Sequence, residues 1–293
     1  MISVIVPTRD RVDDALSCLR ALSAQDAGGL ISQVIVVDDN SSTAYGSRLR
    51  AFARTHALPL LFVANIPGRG TAVARNAGAA LATGDILAFL DDDSVPASDW
   101  LGVIAARFGD KDTAAITGRL LPSDGERILS RARQLRYEMR QAKALQAPRE
   151  PVNFLAGGNS AIRRDDFERL GGFDTSYKLM HDREMALRLK KAGRCCFYAH
   201  DLLAYHRHSK GTADALRSSL VSAHYKLLLE RTNKEEIPAW SLRRQLGSSI
   251  QILRFGRAGE QLLPAFAAVT LEWTHALAYM TFKGLPTLGG LWR

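Results

Sequence analysis

Residues 91–93 of this 293-residue chain read Asp-Asp-Asp, and the five residues before them, Ile86 to Leu90, are all apolar. Adjacent carboxylates repel, and carboxylates are rarely buried without partners. An Asp-x-Asp spacing at the end of an apolar run offers two carboxylates to one ligand, and hard divalent cations such as Mg²⁺ or Mn²⁺ take oxygen ligands of this kind. Such a cation would relieve the repulsion. Two further polar clusters close apolar runs: Pro7-Thr8-Arg9 after Ile2 to Val6, and Asp38-Asp39-Asn40 after Val34 to Val37. Any one cluster is explained by helix capping or turn formation. Three on one edge would make a site.

Hydrophobic periodicity supplies the elements that must bring them together. The runs 2–7, 33–39, 59–65 and 85–93 are short and mostly apolar, as strands buried on both faces are. Between them, 13–24, 45–55, 71–82 and 98–108 have helical character; in the first, Ala15, Leu16, Leu19 and Leu22 share one side. Strand alternating with helix predicts an α/β fold, a mostly parallel sheet with helices on both faces. Ligands of such sheets bind beyond the carboxyl ends of the strands, which puts all three clusters on the same edge. After Phe108 the pattern predicts a strand over 114–122, a basic helix over 126–147 and a strand, glycine pair and helix start over 152–167. A turn-rich loop leading into a helix follows over 170–193, then a strand over 195–208. Residues 209–293 are predicted mainly helical, with an apolar stripe at Leu262, Phe266, Val269, Trp273, Leu277 and Met280. Trp100 is expected in the core at the sheet edge.

A chain of this length that is 46% hydrophobic supports one large domain with an appendage. The formal net charge of +9 favours anionic partners. Residues 126–150 hold seven Lys/Arg against three Asp/Glu, and residues 205–293 twelve against six. A solvated basic face accounts for this; so would a nucleotide or an anionic lipid surface. Three cysteines, two of them adjacent, build no disulfide framework and no zinc spacing, which suits a reducing cytoplasm. The chain opens on a strand-like run, so no leader peptide is expected. Pro264, Glu272 and His275 interrupt the apolar stretch 262–282, so no spanning helix is expected.

The motifs over residues 1 to 208 resemble those of the family 2 glycosyltransferases, inverting enzymes with the GT-A fold, of the kind that assemble bacterial glycans. "SVIVPTRDR" is similar to the family's opening strand and loop, "VIVVDDNSS" to its second strand, and "GRGTAVARNAG" to the segment carrying an arginine toward the nucleotide. "GDILAFLDDDSVPASDWL" resembles its DxD strand, "FLAGGNSAIRRDDFERLGGFD" its acceptor-side segment, and "HDREMALRLKKAG" its Glu-Asp helix. Six motifs stand in the family's order. The chain departs from the pattern at His181, where Glu is usual; at Glu184, where Asp is usual; and at Arg9-Asp10, where Tyr-Asn is common.

The resemblance implies transfer of a sugar from a nucleoside diphosphate (UDP, GDP or dTDP) to an acceptor hydroxyl, in polysaccharide, lipid-linked glycan or glycoconjugate synthesis. It implies a GT-A domain over 1–208, with 1–108 holding the nucleotide and 109–208 facing the acceptor, and a helical region over 209–293. Asp182 would be the catalytic base. Pro7, Thr8, Arg9, Asp39, Arg75, Asp91 and Asp92 would bind the nucleotide-sugar, with Asp91 or Asp92 on the ribose hydroxyls. Gly157, Gly158, Asn159 and His181 would line the donor and acceptor pocket, the glycines by close approach and positive φ. Asp93 would hold Mg²⁺ or Mn²⁺ with Asp91 and either His206 or His208. Expected partners are the donor and a glycan or lipid-linked acceptor, with peripheral contact at the inner face of the membrane and self-association through the C-terminal helices.

Three other classes fit less well. A nucleotidyltransferase needs a glycine-rich loop after the first strand, where this chain has "PTRDRVDD". A dinucleotide-dependent oxidoreductase needs GxGxxG there. Nucleic-acid binding explains the charge but not three acids at one edge. A non-catalytic relative that only binds sugar nucleotides is the remaining alternative, separated by the base.

Overall fold

The computed structural model describes all residues except 26–27, 42–45, 57, 64–69, 124–127, 147–149, 207–211, 235–240, 260 and 285–293. Its elements, in order, are β1 (Ile2–Thr8), α1 (Val12–Ser23), β2 (Ile31–Asp38), α2 (Gly46–Thr55), β3 (Leu60–Val63), α3 (Thr71–Ala79), β4 (Ile86–Leu90), β5 (Ser94–Pro96), α4 (Trp100–Arg107) and β6 (Thr113–Pro122). Then come α5 (Ile128–Gln146), β7 (Asn159–Arg163), α6 (Arg164–Arg169), α7 (His181–Lys191), β8 (Cys195–His206), α8 (Thr212–Thr232), α9 (Leu242–Ala258) and α10 (Leu262–Gly284).

The sheet order is β3-β2-β1-β4-β7-β6-β8-β5. Strands β1 to β4 pair in parallel, as the strand–helix alternation predicts; β7 then runs antiparallel to β4 and to β6, and β5 antiparallel to β8. Alternate side chains of the parallel strands enter opposite cores, as a period of two requires. Val4, Val6, Val34, Val36 and Leu90 pack with α1 and α4 residues such as Leu19 and Trp100. Ile5, Ile35, Val37 and Phe89 pack on the other side with Ala74, Phe167 and Met185. The small residues of α3 have a physical reason. A Cβ at Gly78 would lie 2.6 Å from Ile5 Cγ2, so the helix lies directly on the strands.

Asn159, expected to line the donor and acceptor pocket, is fully buried and braces the sheet instead. Its Oδ1 accepts from Trp100 Nε1 at 2.8 Å, and its Nδ2 donates to the carbonyls of Leu202 at 2.8 Å and Arg119 at 3.0 Å. One amide thus joins α4, β6, β7 and β8, and Trp100 is core as anticipated.

The chain forms two compact units: Met1–Leu121 with Ala144–Arg207, and Pro122–Lys143 with His208–Arg293. The first carries the sheet. In the second, Ala132 and Leu135 of α5 pack with Ile252 of α9 and with Ala265 and Ala268 of α10. Most of the basic helix therefore belongs with the C-terminal helices, although the sequence places it in the acceptor-side half. Among the described residues no helix is long and apolar enough to cross a membrane.

Asn159→Ala would strand three buried hydrogen-bonding groups at roughly 1–3 kcal/mol each. We expect a net loss of about 3 kcal/mol in urea unfolding, with the slope unchanged.

Candidate active site at the carboxyl edge of the sheet

The ends of β1, β2 and β4 bring the three polar clusters together. Thr8, paired in register with Asp38 across β1 and β2, donates through Oγ1 to Asp92 Oδ2 at 2.8 Å, with both residues buried. Arg11, immediately before α1, places Nη1 at 3.3 Å from Asp92 Oδ1 and in direct contact with Asp93 Oδ2. Asp93 Oδ1 lies 3.0 Å from His206 Nε2, in reach because β8 sets His206 opposite Ser94 of β5. Asp91 Oδ1 accepts from Arg75 Nη2 at 2.6 Å. Each acid of the run therefore has its own partner.

These partners put two adjacent carboxyls, Asp92 and Asp93, into different states. Burial, reinforced by Asp93 and Asp91, pushes Asp92 up to about 7 against the pull of Arg11 and Thr8. Burial also acts upward on Asp93, but the hydrogen bond and charge of His206, joined by Arg11, hold it down to about 2. His206 is raised in turn: burial opposes its charge, and Asp93 outweighs burial. Asp91, Asp93 and His206 each offer a ligand atom, all within 4.8 Å of one another. Two carboxylates and an imidazole fit Mg²⁺ or Mn²⁺, more closely Mn²⁺. His208, the other candidate ligand, lies outside the described residues.

Arg75 of α3 is buried, its side chain 3% exposed. Its Nη1 lies 2.6 Å from His181 Nε2. A guanidinium only donates, so Nε2 accepts and the imidazole is neutral. Burial first, then the charge of Arg75, lower His181 to about 4 against the opposing pull of Asp182 and Asp91. Phe173 packs edge-on against His181 with ring centroids 5.2 Å apart. Asn76 clamps the Phe173 backbone, accepting from its N–H at 2.9 Å and donating to its carbonyl at 2.8 Å.

A Cβ at Gly157 would sit 2.6 Å from Arg75 Nη1, and one at Gly158 would collide with the Asp91 carboxylate. Neither glycine has positive φ, contrary to the expectation from sequence. They are small because charged side chains pass against them. The Gly157 N–H donates to Asp182 Oδ2 at 3.1 Å, and Arg183 N–H to Asp182 Oδ1 at 2.8 Å. Asp182, Gly157, Arg75 and Asp91 thus form one connected series. Met180, at φ 67°, turns the chain into α7; holding a non-glycine residue there costs roughly 1–2 kcal/mol. Glu184 is not available in the same way, since Arg188 donates to both its oxygens at 2.6 Å and then to the carbonyls of Leu170 and Gly172.

Asp39 accepts from the Gly70 N–H at 3.1 Å, closing the end of β2 onto the start of α3. Pro7 is buried in β1, whereas Arg9 is exposed and 4.0 Å from Asp10. Arg11 was not among the residues the sequence singled out. The available signal was a basic residue beside a helix start on the edge that carries the acids.

The family description "Glycosyl transferase family 2" matches residues 3–171. The pre-mycofactocin glycosyltransferase of Mycobacterium tuberculosis is 29% identical over 210 residues, 71% of this chain and 43% of the relative. Glycosyltransferase AglE of Haloferax volcanii is 24% identical over 208 residues, 70% of this chain and 66% of the relative. This chain thus spans less than two thirds of either protein. The mannosyltransferase PcManGT of Pyrobaculum calidifontis, solved with GDP-Man and Mn²⁺, superposes with a TM-score of 0.63 at 22% identity, covering 98% of this chain and 76% of that one. That likeness shows the GT-A fold.

His181 generates a pH test. Its folded pKa, about 4, lies below the ordinary 6.5. The unfolded chain therefore binds the extra proton first, and stability falls as pH drops from about 6.5 to about 4. Chemical unfolding across this window should show the loss in wild type and a smaller one in His181→Gln, which can still accept from Arg75.

Proposed function

This chain belongs to glycosyl transferase family 2, and on that premise we propose that it moves a sugar, with inversion, from a nucleoside diphosphate to an acceptor hydroxyl. The observation that carries the reading is the connected series from Asp182 through Gly157 and Arg75 to Asp91, which ties a base candidate to the acid cluster. Asp91, Asp93 and His206 would hold Mg²⁺ or Mn²⁺, and the bound cation would neutralise charge developing on the leaving diphosphate. Asp182 would take the proton from the acceptor hydroxyl, which is a weak nucleophile until a carboxylate does so. Thr8, Asp39 and the acids at the strand ends would face the ribose and base of a UDP, GDP or dTDP donor. Arg75 would orient Asp91 and add positive charge near the diphosphate. Transfer would reside in the stretch 1–208, with the acceptor a glycan or lipid-linked glycan of polysaccharide or glycoconjugate synthesis.

The test is turnover of a panel of UDP-, GDP- and dTDP-sugars with Mn²⁺. EDTA should abolish transfer, and added metal should not rescue Asp93→Ala. Asp182→Asn should stay folded, bind nucleotide nearly as wild type does, and transfer roughly 10²–10⁴-fold more slowly. Near-normal transfer by Asp182→Asn would remove the base assignment.

A second element of this reading concerns where the acceptor is met. Leu242, Leu246 and Ile250 form an exposed stripe on α9, and Leu262, Leu263, Phe266 and Leu277 are exposed on α10. Arg243, Arg244, Arg254 and Arg257 are exposed on the same helical unit. Apolar stripes beside arginines suit an anionic bilayer, where each basic residue contributes up to about 1 kcal/mol. The interleaved apolar residues of α5 do not all join this surface: Leu135 is core and Met139 packs against it. The proposed location is cytoplasmic, at the inner membrane face. Flotation with vesicles containing anionic lipid should exceed that with neutral vesicles, and Leu246→Glu with Phe266→Glu should abolish it. Equal flotation, with dimers on sedimentation, would assign the stripe to a second copy instead.

A further inference from the structure

We propose that Arg11 is a built-in rival of the divalent cation: its guanidinium pairs with Asp93 and must leave that carboxylate when the ion binds. The inference rests on the metal site proposed above and deepens it.

The argument begins with the oxygens of Asp93. His206 Nε2 lies 3.0 Å from Oδ1, and Arg11 Nη1 contacts Oδ2. Both oxygens are therefore engaged, one by an imidazole and the other by a guanidinium. A divalent ion bound to Asp93 competes with them for the carboxylate's lone pairs and repels a permanent positive charge held against it. His206 is itself in the candidate ligand set, so Arg11 is the partner that must yield. A guanidinium carries only donors and a permanent charge, so it can neither ligate a cation nor lose its charge beside one.

The position of Arg11 permits the move. Its side chain is 46% exposed, whereas Arg75, the other arginine on the acid run, is buried at 3%. Among the described residues its ion-pair partners are Asp92 and Asp93. It also stands at the start of α1, where the helix dipole disfavours a positive charge. The acids therefore hold it there, not the helix. Asp91 behaves differently: Arg75 has no exposed route away from it, so that pair stays intact. The two arginines divide the cluster into a fixed carboxylate and an exchangeable one.

The test follows Mn²⁺ alone binding to the whole chain, using the electron paramagnetic resonance signal of the free ion. Arg11→Met should bind Mn²⁺ at least about fivefold tighter than wild type, the usual lower range for coupled binding. Arg11→Lys keeps a charge and protects the fold but lacks the planar fork, and should fall between the two. Simple removal of positive charge would also tighten binding, so displacement needs its own readout. The Arg11 Nε–H resonance, identified by its loss in Arg11→Met, should move to the shift and fast solvent exchange of an exposed arginine on adding Mg²⁺. An unmoved resonance at saturating Mg²⁺, or unchanged or weaker Mn²⁺ binding in both variants, overturns the proposal. Absence of Mn²⁺ binding in wild type and both variants would overturn the metal reading, and this inference with it.

Discussion

A positive charge buried under the sheet edge sets the terms for the site. Arg75 sits where water cannot reach it, and an unpaired guanidinium there would be prohibitive. The surrounding chain must therefore supply a carboxylate, from Asp91, and a second acceptor, from His181. It must also keep side chains away, hence glycine at 157. Gly78 lets α3 lie close enough to β1 and β2 to deliver the charge at all. These demands tie α3, β4, the approach to β7 and the start of α7 together. Asp182 inherits its place from that arrangement, because one of the two backbone amides it accepts from belongs to Gly157, the other being that of Arg183 next to it.

A neutral partner on one side of Arg75 has an electrostatic result. A carboxylate at position 181 would compensate the guanidinium a second time, after Asp91, and leave the trio with a net negative charge. The imidazole of His181 satisfies a donor without cancelling the charge, so the field of Arg75 remains directed at Asp91 and its neighbours. The same economy holds along the acid run. Asp92, deep and raised to about 7, serves mainly as an acceptor for Thr8, whereas Asp93 at about 2 stays ionised throughout the neutral range. Three identical residues in sequence thus do different work because burial and partners differ at each.

The parallel half of the fold was legible in the sequence, since its signal is local. A strand buried on both faces reads as an apolar run, and an acid that ends such a run must lie at the edge. That logic put Thr8, Asp39 and residues 91–93 on one edge; the motif order singled out Asp182 as the expected base, and the strand end made His206 one of two expected ligands beside His208. What stayed hidden depends on contacts between distant residues. Arg11 meets Asp93 only after β1 and β4 pair, and Arg75 meets His181 only after α7 packs beside α3. Asn159 was expected in the pocket because the segment carrying it resembles the family's acceptor-side motif, and nothing local in the sequence marks its burial. Its three hydrogen bonds, to α4, β6 and β8, are visible only once the sheet closes. The basic helix α5 misled for a similar reason: its charges are plain in the sequence, but its packing partners lie far downstream.

That placement of α5 carries a consequence for synthesis. The sheet is complete once β8 has emerged, since its last strand ends at His206. Ala132 and Leu135 have by then been outside the ribosome for some time, and the residues that cover them, Ile252, Ala265 and Ala268, are still to come. At about 5–20 residues per second, that interval is on the order of ten seconds. During it the nascent chain presents a finished sheet and an uncovered basic, apolar helix. A chain stopped after β8 would remain in that state permanently. The helical unit is thus an assembly with one member held in the middle of the sheet's own connectivity, and removing its C-terminal part leaves an open seam, not a clean boundary.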